Sequence, residues 1–142
     1  KYFQINPGND VIIKKMIQDL NMEIDILSVP IVREADGLAM SSRNNYLNKE
    51  ERKAASCINT AILKGKKLFD EGINKTEIIL KAVRNVIETE PLITIDYITI
   101  CNINTLEDLN IVRVSDKAVL AVAVKIGKTR LIDNCVLEKW EA

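Results

Sequence analysis

The sequence Asn-x-x-Glu occurs twice in the middle of the chain, at residues 48–51 and 74–77, each time before an amphipathic stretch. At the start of a helix, the Asn and Glu side chains of this pattern can each satisfy a free backbone amide. We therefore predict one long helix from residue 48 that ends near Gly72, and a second from residue 74 that Pro91 stops. Their buried faces should consist of Ala54, Ile58, Ala61, Ile62, Leu68 and Phe69 in the first helix and Ile78, Ile79, Ala82, Val83, Val86 and Ile87 in the second.

Three segments with the composition of β-strands follow these helices. Residues 93–100 are rich in isoleucine, and residues 118–126 are almost continuously apolar. Residues 129–137 return after a tight turn at Gly127-Lys128. The order α, α, β, β, β predicts an α+β domain made of two helices and a small, mainly antiparallel sheet.

The first 43 residues have a different organisation. A helical spacing of apolar residues predicts an amphipathic helix over 11–20, and a short β-rich run over 24–29 is stopped by Pro30. The apolar face of that helix should be Ile12, Ile13, Met16, Ile17 and Leu20. A helix that leads into a short apolar strand is typical of the last piece of a parallel α/β domain. We therefore predict that residues 1–43 are the remnant of an N-terminal α/β domain and that residues 44–142 form the C-terminal α+β domain.

Composition excludes several classes of function. The chain has 142 residues, in which 20 Lys and Arg balance 20 Asp and Glu, so no net charge favours nucleic acid or an anionic membrane as a partner. No apolar run approaches the roughly 20 residues that span a bilayer. Because the chain contains no histidine, Ser-His-Asp and Cys-His catalysis within these residues is excluded. Three scattered cysteines are typical of reduced cytoplasmic thiols, and we assign no metal-binding residue.

Residues 30–47 show neither helical nor strand periodicity, and polar loops of this length are often functional. The serine hydroxyls of Ser41 and Ser42 and the guanidinium of Arg43 suit a polyphosphate, since all three groups donate hydrogen bonds to oxygen. The alternative is a plain surface loop in which Asp36 pairs with Arg43 and the serines contact water. Residue types alone do not decide between the two interpretations.

The full sequence of this loop is more specific. Residues 32–47 read Val-Arg-Glu-Ala-Asp-Gly-Leu-Ala-Met-Ser-Ser-Arg-Asn-Asn-Tyr-Leu and closely resemble the signature of the family of pantothenate synthetases, or pantoate–β-alanine ligases. The segments 95–97, 121–124 and 127–134 resemble the later strands and closing hairpin of the same family, in order. Within that hairpin we expect Arg130 and Asp133 to be a pair that stabilises the domain.

The resemblance implies a Rossmann-like nucleotidyltransferase domain before the α+β domain, and an ATP-dependent, AMP-forming ligase. In this family ATP, with Mg²⁺, activates pantoate as pantoyl adenylate, and the amine of β-alanine then displaces AMP. Ser42 and Arg43 would stabilise the leaving pyrophosphate, and we assign no other catalytic residue to this chain. The ATP site would comprise Val32, Met40, Ser41, Ser42 and Arg43. Simple core packing is the alternative for Val32 and Met40.

The family's His-x-Gly-His motif is absent from these residues, and its Gly-x-Lys-Asp-x-x-Gln motif cannot be placed on residues 1–10. We therefore expect this chain to be the C-terminal half of an enzyme, inactive alone, whose complete form is a cytoplasmic homodimer. Two alternatives remain open at this stage. One is another adenylate-forming nucleotidyltransferase, and the other is a non-catalytic binding module.

Overall fold

The computed structural model describes residues 2–5 and 7–139, with side chains from residue 12 onward. The chain divides into two compact units, Lys1–Val32 and Arg33–Ala142. This division lies upstream of the boundary predicted after residue 43, because residues 33–43 pack within the second unit. Among the described residues, no helix is both long enough and apolar enough to cross a bilayer.

The first unit contains a parallel strand pair joined by a helix. Strand β1 (Tyr2–Ile5) pairs with β2 (Asp25–Ser28), and helix α1 (Pro7–Asp19) connects them. Asn21, at φ 48°, takes the left-handed conformation typical of a helix end. The amphipathic helix predicted over 11–20 is present, and its apolar residues differ in burial: Ile17 is 9% exposed, whereas Ile12, Met16 and Leu20 are 60%, 47% and 63% exposed.

The second unit is an α+β domain with a three-stranded antiparallel sheet in the order β3-β4-β5. A 3-10 helix, Ser42–Tyr46, precedes its regular elements. These elements are α2 (Lys49–Ala55), α3 (Cys57–Asp70), α4 (Thr76–Glu88), β3 (Ile93–Asn102), β4 (Ala118–Ile126) and β5 (Thr129–Leu137). Helices α3 and α4 pack against each other and against the sheet, which confirms the predicted α+β class for this part of the chain.

The core lies between the two helices and the sheet. Its largest fully buried side chains include Phe69 of α3, Ile79 of α4 and Leu120 of β4. Gly65 allows α3 to pack closely against strand β4, since a Cβ at residue 65 would lie 2.6 Å from Leu120 Cδ2. The residues of the predicted inward faces are buried, or half-buried at Leu68, Ala82 and Val86, except for Ile78, which is 47% exposed.

The predicted helices differ from the structure in two details. The helix predicted from residue 48 is interrupted at Ser56, whose hydroxyl donates to the Lys53 carbonyl at 2.8 Å and competes with the helical hydrogen-bonding pattern. The second helix has Lys75, not Asn74, as its N-cap. The reason is tertiary: the Asn74 carbonyl accepts from the amide of Val112 at 2.9 Å, which holds residue 74 in an extended segment.

Candidate functional site

The signature loop, residues 33–47, begins with a tight turn closed by backbone pairing. Arg33 and Ala39 form an antiparallel bridge, and the Glu34 amide donates to the Leu38 carbonyl at 2.8 Å. Gly37 occupies the turn at φ 88°, a conformation that costs a residue with a Cβ roughly 1–2 kcal/mol. Leu38 is 3% exposed and belongs to the hydrophobic core. The turn is therefore fixed to the body of the domain.

Two bidentate ion pairs hold the same turn. Arg33 binds Asp133 of β5 through Nη1–Oδ2 and Nη2–Oδ1 distances of 2.7 and 3.0 Å. Arg52 of α2 binds Asp36 through distances of 2.7 and 3.1 Å, and its guanidinium lowers the pKa of the Asp36 carboxyl. Asp36 thus pairs with Arg52 instead of Arg43, and this contradicts the plain-loop interpretation of that pair.

The expected pairing of Arg130 with Asp133 is also wrong. Residues three apart on a strand point to opposite faces of the sheet, so these two side chains cannot meet. Arg130 instead donates through Nε to Asp96 of β3 at 2.8 Å and lies 5.8 Å from the centre of the Tyr97 ring. Asp133 is buried and binds Arg33.

The second half of the signature loop is the 3-10 helix. The Ser41 hydroxyl accepts from the amide of Arg43 at 3.2 Å and caps its start. Asn44 is buried, and its Nδ2 donates to the Ala39 carbonyl at 3.0 Å, which joins this helix to the turn. Asn44 Oδ1 has no hydrogen-bond partner among the described residues.

The predicted site residues fall into two groups. Met40, Ser41, Ser42 and Arg43 are consecutive and exposed on the second unit, where Met40 is 54% exposed. Val32 belongs to the first unit and is 66% exposed. Neither Val32 nor Met40 is a core residue in this structure, so the packing alternative does not describe them.

Arg43 lines an open groove of about 770 Å³ together with the turn between β4 and β5. The other lining residues are Tyr46, Glu51, Gly127, Lys128, Thr129 and Arg130. Among the described side chains, those of Arg43 and Lys128 have no ion-pair partner, so the groove presents two unpaired cationic side chains, with the carboxylate of Glu51 also in its lining. Such a concave, cationic and solvent-accessible surface is suited to a polyphosphate.

The turn approaches α2 closely because residue 127 is glycine. Gly127 has φ 58°, and a Cβ there would lie 2.5 Å from Glu51 Oε1. Glu51 is held in turn by the capping box of α2, in which its Oε2 accepts from the Asn48 amide at 2.9 Å. Lys128 was not predicted as a site residue, and its position in a tight turn beside Gly127 was the available sequence signal.

The cysteines lie outside this groove, and their raised pKa values disfavour the nucleophilic thiolate at neutral pH. Burial raises the pKa of Cys57 to about 11 and that of Cys135 to about 12. Cys101 is buried, and its pKa is also raised by desolvation. Within the part of the chain that the structure describes, no three His, Cys, Asp or Glu side chains are grouped so as to hold a metal ion.

Comparisons with known proteins agree on one family. The family model described as pantoate-beta-alanine ligase matches residues 8–136. A pantothenate synthetase of Thermoanaerobacter sp. (strain X514) is 49% identical over 123 residues, which are 87% of this chain and 43% of that protein. A pantothenate synthetase of Roseiflexus sp. (strain RS-1) is 45% identical over 138 residues, 96% of this chain and 49% of that protein.

Solved structures agree with the sequence relatives. The pantothenate synthetase of Thermus thermophilus superposes with a TM-score of 0.85 at 32% identity, over 97% of this chain and 49% of that one. A pantoate-beta-alanine ligase from Francisella tularensis, complexed with beta-gamma ATP and beta-alanine, has a similar fold, with a TM-score of 0.60 at 22% identity, over 98% of this chain and 44% of that one. The chain thus spans about half the length of the curated relatives it matches.

Proposed function

This chain belongs to the pantoate–β-alanine ligase family, and from that membership we propose that it supplies the C-terminal half of an ATP-dependent ligase. The complete enzyme joins pantoate to β-alanine in pantothenate biosynthesis. A pantoate carboxylate oxygen attacks the α-phosphorus of ATP, and pyrophosphate leaves with the electron pair of the broken P–O bond. The β-alanine amine then attacks the pantoyl carbonyl carbon, the amine loses a proton, and AMP leaves.

The groove that joins Arg43 to the β4–β5 turn is the observation that carries this proposal. Arg43 and Lys128 would bind the β- and γ-phosphates of MgATP, with the hydroxyls of Ser41 and Ser42 as further donors. Negative charge grows on the pyrophosphate as the P–O bond breaks, so groups that bind it more tightly at that moment lower the barrier. The Mg²⁺ arrives with ATP as part of the substrate. Val32 and Met40 would contact the nucleoside part.

The first unit has the features of a sheet fragment. Its β1-α1-β2 arrangement is a parallel β-α-β unit, the building block of Rossmann-like domains. Ile12, Met16 and Leu20 of α1 are exposed apolar side chains, consistent with further chain packing against them. We propose that residues preceding these in the complete enzyme extend this sheet and contribute the pantoate site and the remaining catalytic groups. We also propose that the complete enzyme is a cytoplasmic homodimer.

The test uses a hybrid in which this chain replaces the matching segment of the Thermoanaerobacter relative. We expect pantoate-dependent exchange of pyrophosphate into ATP, and a loss of about 2–4 kcal/mol of transition-state stabilisation, or 30- to 1,000-fold in rate, in Arg43→Ala. The control is Arg84→Ala, which removes an exposed arginine of α4 that pairs only with Glu88 among the described residues.

Different outcomes select different functions. Exchange that does not require pantoate would identify another adenylate-forming enzyme. If a folded hybrid does not exchange pyrophosphate into ATP, the chain would instead be a non-catalytic binding module. For the 142-residue chain alone we expect no turnover and only millimolar binding of pyrophosphate, which Arg43→Ala and Lys128→Ala should each weaken. Equal binding by both variants and the parent chain would exclude the groove as the phosphate site.

A further inference from the structure

Asp133 is a buried acidic residue whose partner lies 100 positions earlier, at the start of the signature loop. We propose that Asp133, acting through Arg33, is a positioning residue that sets the geometry of the phosphate-binding segment 41–43. This inference rests on the function proposed above for that segment. It concerns residues that do not touch the substrate themselves.

The Arg33 guanidinium contacts both Asp133 on strand β5 and the backbone of the signature loop. Arg33 Nη1 donates to Asp133 Oδ2 at 2.7 Å and also to the carbonyl of Gly37 at 3.0 Å. Arg33 Nη2 donates to Asp133 Oδ1 at 3.0 Å, so the carboxylate fixes the plane of the guanidinium. The tip of the turn is therefore bound through Arg33 to strand β5.

The anchor itself is rigid. Asp133 lies opposite Val122 within the β4–β5 ladder, and its side chain is only 2% exposed. Its Oδ1 also accepts from the Asn134 amide at 2.7 Å, which restricts rotation of the carboxylate. The pKa of Arg33 is raised by its hydrogen bonds to Asp133, as expected for a charge held in place by its partner.

The Asp133 side chain is 2% exposed and that of Arg33 is 28% exposed, so the ion pair is partly buried, and desolvation cancels part of the attraction between the charges. Apolar pairs of similar volume often stabilise a core as well as buried ion pairs do, so stability alone does not explain this arginine and this carboxylate, which call for another reason. Here the Arg33 guanidinium bonds the loop backbone at Gly37, which an apolar side chain cannot do. Control of loop geometry is that reason.

The connection continues from the turn to the phosphate-binding segment through short steps. Ala39, which is bridged to Arg33, accepts from Asn44 Nδ2 through its carbonyl. Residues 41–43 lie between these two anchored positions. A shift of about 1 Å at a group that stabilises a transition state can reduce the rate of an enzyme roughly 100-fold. Release of Arg33 should therefore reduce activity without removing any group that binds ATP.

The first test measures loop order in the 142-residue chain by amide hydrogen exchange. In Asp133→Asn we expect exchange of the Glu34 and Gly37 amides to accelerate at least tenfold more than in the control Thr76→Val. The control removes another buried polar group, whose hydroxyl donates to the Leu109 carbonyl at 2.6 Å, outside the signature loop. Equal acceleration in the two variants would overturn the proposal. Arg33→Lys provides the same comparison if Asp133→Asn does not fold.

The second test is a double-mutant cycle in the hybrid enzyme. Asp133→Asn should lower kcat for pyrophosphate exchange about tenfold, yet less than twofold once Arg43→Ala is already present, because both changes remove the same stabilisation. Independent, multiplicative losses would show that Asp133 has only a structural role. If the unsubstituted hybrid folds but is inactive, the proposed function is contradicted and the positioning role is not. The amide hydrogen exchange rates of the 142-residue chain test the positioning role separately.

Discussion

Gly37 and Gly72 form a natural comparison for separating backbone strain from steric conflict. Both have positive φ, 88° and 101°, and both belong to the second unit. A Cβ on Gly37 would lie 2.7 Å from Asn59 Cγ and still closer to Asn59 Nδ2, whereas a Cβ on Gly72 would have no atom within 4 Å. Gly37→Ala therefore introduces strain and a clash, and Gly72→Ala introduces strain only.

The expected free energies follow from these two effects. The left-handed backbone costs an alanine roughly 1–2 kcal/mol. At either site, alanine also reduces the conformational freedom of the unfolded chain, which stabilises the folded state by about 0.4–1 kcal/mol. At residue 37 the Asn59 side chain must also leave its preferred rotamer, at about 0.5–1.5 kcal/mol. The shared terms cancel in the difference, so Gly37→Ala should be less stable than Gly72→Ala by about 0.5–1.5 kcal/mol.

The assay is urea unfolding of the 142-residue chain, followed by circular dichroism at 222 nm. With a slope of about 1–3 kcal/mol per molar urea, the midpoint of Gly37→Ala should lie roughly 0.2–1.5 M below that of Gly72→Ala. Adding Asn59→Ala to both variants should abolish the difference, since it removes the atoms that clash. Equal midpoints for the two single variants, or a difference that survives Asn59→Ala, would refute the steric account.

Two further predictions concern titratable groups. The lowered pKa of Asp36 means that its pair with Arg52 stabilises the folded state above the ordinary pKa of 3.8 and loses that contribution as the pH falls through the lowered value. The free energy of unfolding in urea should therefore be up to about 1 kcal/mol lower for Asp36→Asn than for the parent chain at pH 7, and this gap should close as the pH falls below the lowered pKa. The raised pKa of Cys57, about 11 against 9.0, should slow its alkylation by iodoacetamide at pH 8 about 100-fold relative to the urea-unfolded chain. Equal rates in the two states, measured by mass spectrometry, would contradict this.

Local patterns predicted the second unit well where local forces decide its structure. The capping box at Asn48 and Glu51 is present, and the strand predicted over 118–126 has those bounds. Asn74 is not the helix cap because backbone groups of residues 110–112 form hydrogen bonds with those of residues 74 and 76. Single-residue propensities contain no information about such long-range contacts.

The candidate site shows the same division. Arg43 was predicted from its own loop, whereas Lys128 reaches the groove only because a turn between two strands packs beside α2. The pairing of Asp133 with Arg33 was missed for a related reason. The sequence offers Asp133 a nearby arginine at position 130, and only the alternation of strand faces shows that this neighbour points away.

The signature loop therefore combines two groups of residues with different physical roles. Buried or ion-paired members hold the backbone: Arg33, Asp36, Leu38 and Asn44. Exposed members from Met40 to Arg43 have side chains free of ion pairs within the described structure and are available to a ligand. Substitutions in the first group should change stability and activity together, since the same contacts fold the loop and aim it. Substitutions of Met40, Ser42 or Arg43 should change activity alone, because no folded-state contact of comparable strength is lost. Ser41 is the exception, since its hydroxyl also caps the 3-10 helix.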